Sequence, residues 1–335
     1  MPDRPLAVIT GATGLLGANL AEALHAAGYA LRCTRRPRSQ TAHLAHLPQL
    51  TWVEADLADE AALTAAFAGA RYVFHCAAAV DLPPWPTPAL TAANVEGVAH
   101  VLAAARAAGV GRLVHCSTAA AVGVSVHGEV VTEETPYNFD HYGLADGYSL
   151  TKRDGERLAM AAAAAGQEVV VVNPTYMLGP YDLRPSSGAI LVALGKGLLP
   201  LAPPGANNFV DVRDVAQGMI AAADRGERGQ RYILGGEDLP WATLLAEAAA
   251  LLGRKPPWAT APAGLLLLPG LVGDLLFAAT GRPQALSTTA ARWASTRRYT
   301  LSSAKARAAL GYTTRPREET LRAAIADLKA RGHLP

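Results

Sequence analysis

An apolar run from Leu6 to Thr10 passes without interruption into Gly11-Ala12-Thr13-Gly14-Leu15-Leu16-Gly17, and the three glycines spaced three apart constrain this chain more than any other stretch. The run before them is apolar and partly β-branched, as a strand covered on both faces requires. After them Leu15, Leu16, Leu20 and Leu24 recur at helical spacing as far as Gly28. Strand, glycine turn and helix in that order make an anion cradle. Gly11 permits the sharp turn, Gly14 lets backbone N–H groups approach a pyrophosphate, and Gly17 lets the helix lie close against the strand. The helix N-terminus then presents free N–H groups and the positive end of its dipole. A tight turn that holds nothing is the plain alternative.

The rest of the chain alternates strand-like and helix-like segments, which calls for a parallel sheet with right-handed crossovers. Strands are expected at Tyr29 to Thr34, Leu50 to Glu54, Tyr72 to Cys76, Arg112 to Cys116, Glu168 to Val172 and Gln230 to Leu234. Half of the 335 residues are apolar, enough for one large α/β core and a smaller lobe. A net charge of +2 gives no footprint for nucleic acid or for an anionic membrane. Cys33, Cys76 and Cys116 lie in strand-like runs without metal-ligand spacing, so no metal site is expected and the thiols read as buried, in a reducing cytoplasm. The start, Met1-Pro2-Asp3-Arg4-Pro5, has no signal-like pattern.

Two stretches point to cofactor choice and chemistry. The second strand runs into Arg35-Arg36-Pro37-Arg38, where an acidic residue would hold a ribose 2'-hydroxyl; Arg35 and Arg36 suit a 2'-phosphate instead, so NADP(H) is expected over NAD(H). A solvated basic loop is the alternative. Ser117 and Thr118 stand at the carboxyl end of the fifth strand, where functional side chains of open α/β sheets gather. Tyr148 and Lys152 lie one helical turn apart on one face. A phenol with an unperturbed pKa of about 10 becomes a useful proton carrier when an ammonium is held nearby. A hydroxyl from Thr118 or Ser117 can stabilise charge that develops on a substrate oxygen. The loop Asp81 to Pro88 holds four prolines and cannot be helix or strand; its Trp85 is a candidate wall for a substrate pocket, or a packing anchor.

Together these residues resemble the extended branch of the short-chain dehydrogenase/reductase superfamily, within it the dihydroflavonol-reductase and 3β-hydroxysteroid-dehydrogenase-like group. The resemblance covers nearly the whole chain. It implies a Rossmann-type doubly wound parallel sheet, with a smaller, mostly helical C-terminal substrate lobe. The nucleotide domain would take residues 1–176 and 209–235, the lobe 177–208 and 236–315, with a C-terminal helix over 316–335. By the same resemblance Gly11, Thr13, Gly14, Leu15, Leu16 and Gly17 bind the dinucleotide. Asp56 and Leu57 would contact the adenine, and the small residues Cys76, Ala77 and Ala78 would let it lie across the strand ends. Asn94-Val95-Glu96-Gly97 resembles an Asn-Val-x-Gly element that stabilises the sheet. Thr118 matches the hydroxyl at the site, with threonine where serine is usual, and Lys152 would also hold the nicotinamide ribose. Pro174 and Met177 would pack beside the nicotinamide, with Tyr176, Thr118 and Trp85 as candidates for substrate contact.

The function this implies is reduction of a ketone or aldehyde by NADPH, on a small, hydrophobic carbonyl or alcohol substrate, in a cytoplasmic homodimer joined through the helices bearing Asn94 and Tyr148. Asn207-Asn208-Phe209 stands where sugar-nucleotide enzymes of this superfamily usually carry Arg-Asp-Phe, and loss of that cation argues against a diphosphate substrate. A nucleotide-sugar epimerase or dehydratase with bound NAD, and a binding protein that senses NADP(H) without turnover, are the alternatives. Gly264 to Ala279 is strongly apolar but interrupted by Pro269, Gly270, Gly273 and Asp274; it reads as a pair of lobe helices and not as a membrane span, with contact to membrane or lipid as the alternative.

Overall fold

Alternation of side chains along each strand sets the layers of this molecule. In the strand Leu6–Thr10, Ala7 and Ile9 enter one core while Val8 enters the other, and in Val169–Pro174 the residues Val170 and Val172 oppose Val169 and Val171. A sheet so apolar on both faces must be covered on both. The computed structural model describes residues 4–125, 127–282, 287–296 and 299–335. The N-terminal reading at Met1, Pro2 and Asp3 lies outside them.

The strands are β1 (Leu6–Thr10), β2 (Ala30–Arg35), β3 (Leu50–Glu54), β4 (Tyr72–His75), β5 (Arg112–Cys116), β6 (Val169–Pro174), β7 (Tyr176–Leu178), β8 (Leu201–Ala202), β9 (Ala206–Asp211), β10 (Arg231–Leu234), β11 (Glu237–Pro240) and β12 (Ala259–Thr260). Seven form a parallel sheet in the order β3-β2-β1-β4-β5-β6-β10. The order reverses between β1 and β4, and an open sheet of this kind leaves its ligand crevice at the carboxyl ends there. The second strand sits one residue later than expected, the fourth ends one residue earlier, and the sixth runs two residues further, to Pro174.

The helices are α1 (Leu15–Ala26), α2 (Glu60–Phe67), α3 (Pro88–Thr91), α4 (Gly97–Ala107), α5 (Gly147–Ala164), α6 (Ala189–Gly195), α7 (Val212–Arg225), α8 (Trp241–Leu252), α9 (Leu267–Thr280), α10 (Thr288–Ser295), α11 (Ala304–Leu310) and α12 (Arg317–Ala330). One face of the sheet is covered by α1, α7 and α11 through Leu20, Leu24, Met219 and Leu310. The other is covered by α2, α4 and α5 through Leu63, Phe67, Val101 and Ala159. The lobe has its own core, where Leu194, Trp241, Leu245, Leu321 and Ile325 meet over the sheet β11-β9-β7. Asp211 and Asp214, at the start of α7, pair with Arg213 and Arg315 and tie the lobe side to the sheet.

The stretch expected to be a helix pair is instead one continuous helical run. A 3-10 turn at Ala263–Leu266 leads directly into α9. Pro269 falls in the first turn, where its missing N–H costs no helical bond. Gly270 and Gly273 are buried and permit close packing: a Cβ on Gly270 would stand 2.9 Å from the backbone of Ser287, at the start of α10. Ala263–Thr280 is long and apolar enough to cross a membrane by length and composition, with mean hydropathy 1.8 and 17% of it buried.

Candidate active site

The glycine cradle is built as its spacing requires, and the three glycines answer to different constraints. Gly11 has φ +79°, and a Cβ there would lie 2.6 Å from the backbone nitrogen of Ala77. A Cβ on Gly17 would overlap the Gly11 carbonyl group and come within 2.8 Å of the Ala12 Cα. These two are fixed by the fold. Gly14 has φ −98°, and a Cβ there would meet nothing closer than the Gly11 oxygen at 3.4 Å. The protein itself would accept a side chain at 14; bare backbone there leaves room for a ligand. The N-terminus of α1 has no side-chain cap, so its first N–H groups face the same space.

A cavity of about 800 Å³ runs along the strand ends from this cradle. Gly11, Thr13, Gly14, Leu15, Leu16, Gly17, Arg36, Cys76 and Ala78 line its nucleotide side, and Ser117, Thr118, Tyr148, Lys152, Pro174, Tyr176 and Met177 its far side. Five expected residues are not among the lining. Arg35 is turned to Glu54, 2.7 Å away at the sheet edge, so of the two arginines Arg36 reaches the cavity. Asp56 accepts the Ala58 N–H at 3.0 Å as a turn cap, and Leu57 packs 3.0 Å from where Gly97 would carry a Cβ. Ala77 supports Gly11 through its backbone. Trp85 is 48% exposed and packs on Phe277, ring centroids 5.0 Å apart.

The far side is held by the start of α5. Asp146 caps that helix reciprocally with Ser149, its carboxylate accepting the Ser149 N–H at 2.7 Å while the serine hydroxyl accepts the Asp146 N–H at 2.9 Å. This fixes the turn that carries Tyr148. One turn on, the buried Lys152 donates from Nζ to the carbonyl of Cys116 at 2.7 Å. Burial lowers the Lys152 pKa, and the neighbouring Cys116 and Glu156 act against that shift. Burial also raises the Tyr148 phenol above its ordinary value, with the Cys116 thiol adding to the rise and a hydrogen bond with Thr118 opposing it. Tyr148 is therefore a neutral phenol at physiological pH, held against Thr118. The buried Ser117 hydroxyl has no partner among the described residues, while Thr118 Oγ1 also accepts the Ala120 N–H at 3.3 Å. Asn94 braces the arrangement: it accepts the Ala79 N–H at 2.9 Å and donates to the Ala79 carbonyl and to Thr151 of α5. It does so from a π-helical turn, Ala92–Glu96, between α3 and α4.

Beneath the site His75 and His115 stack with centroids 5.4 Å apart, both buried. His75 shares a 2.7 Å hydrogen bond between Nδ1 and the Thr10 hydroxyl, and neither nitrogen of His115 has a partner among the described residues. Burial, with the Lys152 charge adding, lowers His75 to about 3 and His115 well below its ordinary value. A depressed native pKa means that the unfolded chain binds protons first, so stability present at pH 7 is lost as pH falls below about 6.5, at up to ~1.4 kcal/mol per pH unit for each histidine. His115→Leu should flatten that dependence by about one histidine's share. Denaturant unfolding of both proteins at pH 7, 6 and 5 measures it, and a difference between them that stays constant with pH would refute it.

Several cavity residues carry no signal in the sequence. Ser39 and Gln40 stand beside Arg36 on the nucleotide side, while Arg184, Trp241 and Trp293 line the lobe side. Trp293 comes from α10, an unremarked helix; its indole donates to the Leu144 carbonyl at 3.0 Å and its ring packs between Phe139 and Tyr299. Asn207 lies in the wall and Asn208 is turned away to Asp238, donating to its carboxylate at 2.7 Å. Among the described residues no group of three or more His, Cys, Asp or Glu side chains is placed to hold a metal.

A doubly wound sheet with a glycine cradle, a hydroxyl, a tyrosine and a lysine around one crevice defines an NAD(P)-dependent oxidoreductase of the extended short-chain dehydrogenase/reductase class. Comparison with known proteins agrees. Residues 7–235 match the model of the NAD dependent epimerase/dehydratase family. The chain is 33% identical over 279 residues to a putative dihydroflavonol 4-reductase of Synechocystis, covering 82% of this chain and 80% of the relative. It is 32% identical over 270 residues to sterol demethylase protein B of Methylococcus capsulatus, covering 80% and 81%. A solved nucleoside-diphosphate-sugar epimerase from Pseudomonas aeruginosa superposes with TM-score 0.80 at 28% identity, over 99% of each chain. The chain belongs to the NAD-dependent epimerase/dehydratase family.

Proposed function

We propose that the protein is an NADPH-dependent reductase that delivers hydride to a ketone or aldehyde carbon of a small, hydrophobic substrate, the reverse alcohol oxidation being the same chemistry. The observation that carries this reading is that Thr118, Tyr148 and Lys152 line one cavity together with the glycine cradle and the aromatic side chains of Tyr176, Trp241 and Trp293. A nicotinamide dinucleotide in the cradle supplies the hydride. Thr118 and Tyr148 donate hydrogen bonds to the carbonyl oxygen, which stabilises the charge that develops there, and Tyr148 gives up its proton to it. Lys152 holds the ribose hydroxyls and its charge compensates the phenolate left behind. Pro174 and Met177 back the ring, and Ser117 offers a second hydroxyl. Trp241, Trp293 and Tyr176 supply apolar substrate contacts, in keeping with a relative whose name concerns a sterol. We place the enzyme in the cytoplasm, as a homodimer through α4 and α5; a monomeric mass at micromolar concentration would count against the dimer.

NADPH and NADH titrations by nicotinamide fluorescence, followed by turnover on carbonyl and sugar-nucleotide panels, test the reading. Arg36→Ala should weaken NADPH roughly 10- to 100-fold, the loss of a charged hydrogen bond to the 2'-phosphate, and leave NADH nearly unchanged. Arg35→Ala should leave both unchanged, because Arg35 is engaged with Glu54. The solved epimerase neighbour favours a second reading, in which Arg184 would meet a sugar diphosphate. Tightly held NAD in the purified protein and affinity for a sugar nucleotide would replace the reductase reading with that one.

A further inference from the structure

Among the described residues, none covers one face of the helix α9. Gly270, Gly273 and Phe277, spaced three and four apart, are buried, and the close backbone approach at Gly270 seats this face on α10. On the opposite side Leu268, Leu271, Val272, Leu275 and Leu276 are between 46% and 73% exposed. A contiguous surface of this kind on a helix is a docking surface. Its flanks show what it docks on. Residues 254–281 contain Arg254 and Lys255, both exposed, and a single acid, Asp274, whose carboxylate is turned inward to accept the Thr288 N–H at 3.2 Å. Trp258, 79% exposed, precedes by five residues the 3-10 turn that leads into α9. Exposed basic residues and an exposed tryptophan in the segment that leads into an apolar helix match the chemistry of an anionic lipid surface, with its acyl boundary, headgroup zone and negative charge. The near-zero net charge of the whole chain conceals this local balance.

We propose that α9 lies in the plane of an anionic bilayer surface as a peripheral anchor, its Gly270–Gly273–Phe277 face kept on the protein and its leucine face in the acyl boundary. In-plane docking follows from the packing, since spanning would strip α9 from α10. The docked face also adjoins the mouth of the active-site cavity. Phe277 packs edge-on against Trp85, and Leu82 of the same proline loop and the adjoining Val80, both exposed, line the cavity, as do Ala290 and Trp293 of α10. An apolar substrate dissolved in lipid would thus meet the opening directly, a consequence that rests on the reductase reading, whereas the docking itself does not.

Flotation of the full chain with phosphatidylcholine vesicles and with vesicles of phosphatidylcholine and phosphatidylglycerol at 7:3 tests the docking. The wild type should partition at least about tenfold more strongly onto the phosphatidylglycerol vesicles at low salt, and lose that preference as salt screens the charge. Leu271→Gln with Leu275→Gln should abolish binding to both, with circular dichroism and NADPH affinity unchanged. Arg254→Glu with Lys255→Glu should remove the preference for the anionic lipid. Failure of the wild type to float at millimolar lipid, or undiminished flotation of the leucine variant, overturns the proposal. So does a self-association in lipid-free solution that the leucine variant dissolves, which would assign the face to a second copy of the chain.

Discussion

Tyr148→Phe is expected to lower kcat for carbonyl reduction by roughly 10²- to 10⁴-fold, the usual range for removal of a positioned general acid, with NADPH affinity nearly unchanged. The ring keeps its volume and its place in the first turn of α5, which is held by the Asp146 and Ser149 cap and not by the phenol. What disappears is one proton and one hydrogen bond to the developing oxyanion. The pH profile supplies a second test. Burial holds the phenol above its ordinary value of about 10, so the acid form persists across the neutral range and the wild-type rate should be flat there, falling only in strong alkali. A plateau that breaks between pH 6 and 8 would mean that another group supplies the proton. Thr118→Ala should cost less than Tyr148→Phe, because the tyrosine hydrogen bond to the substrate oxygen would survive; Thr118→Ser should restore most of the rate. Normal turnover in Tyr148→Phe with intact cofactor binding would sink the assignment.

What the sequence discloses about this site is set by how far each role depends on local spacing. The cradle is a local structure: its strand, glycines and helix are consecutive, and their spacing alone places them. Tyr148 and Lys152 share a helical face by the same local logic, and both line the cavity. Arg35 and Arg36 are also adjacent, but Arg35 is the last residue of β2, where register with β3 sets it against Glu54, while Arg36 lies past the strand end and lines the cavity. Spacing cannot supply that. Lys152 shows a similar limit: a one-turn interval puts it near Tyr148, but the structure satisfies its ammonium on the Cys116 carbonyl, and burial governs the phenol. The lobe walls are the least legible. Trp241 and Trp293 come from helices far apart in sequence, and Trp85, the conspicuous aromatic of the proline loop, packs on Phe277 instead. Gly270 of α9 looks like a helix breaker in a one-dimensional reading, and only the neighbouring α10 reveals it as a contact.

Gly17→Ala and Gly14→Ala, identical changes three residues apart, should separate fold from ligand. Within a helix alanine is favoured over glycine by up to ~1 kcal/mol, so propensity alone predicts that Gly17→Ala stabilises. The geometry reverses the sign. A methyl at 17 would overlap the Gly11 carbonyl group and press on the Ala12 Cα, all backbone of the turn, none of which can rotate away. Relief requires α1 to move off β1, which opens the core at Leu20 and Leu24, and overpacking of that kind costs about 1–3 kcal/mol or more. Gly14→Ala meets only ordinary contact at 3.4 Å with an unexceptional φ, and the cofactor-free protein should unfold within about 0.5 kcal/mol of the wild type. Its deficit should appear only when the dinucleotide is added, because the methyl stands where backbone N–H groups approach the pyrophosphate. Affinity should fall on the order of tenfold or more. Saturating NADPH stabilises a protein that binds it in the native state by RT ln(1 + [L]/Kd), so the wild type should gain in denaturant midpoint at a ligand concentration that leaves Gly14→Ala almost unmoved. Gly17→Ala should start low even without ligand. If Gly14→Ala gained as much as the wild type, no pyrophosphate would lie on that turn, and the cradle would be a structural bend alone.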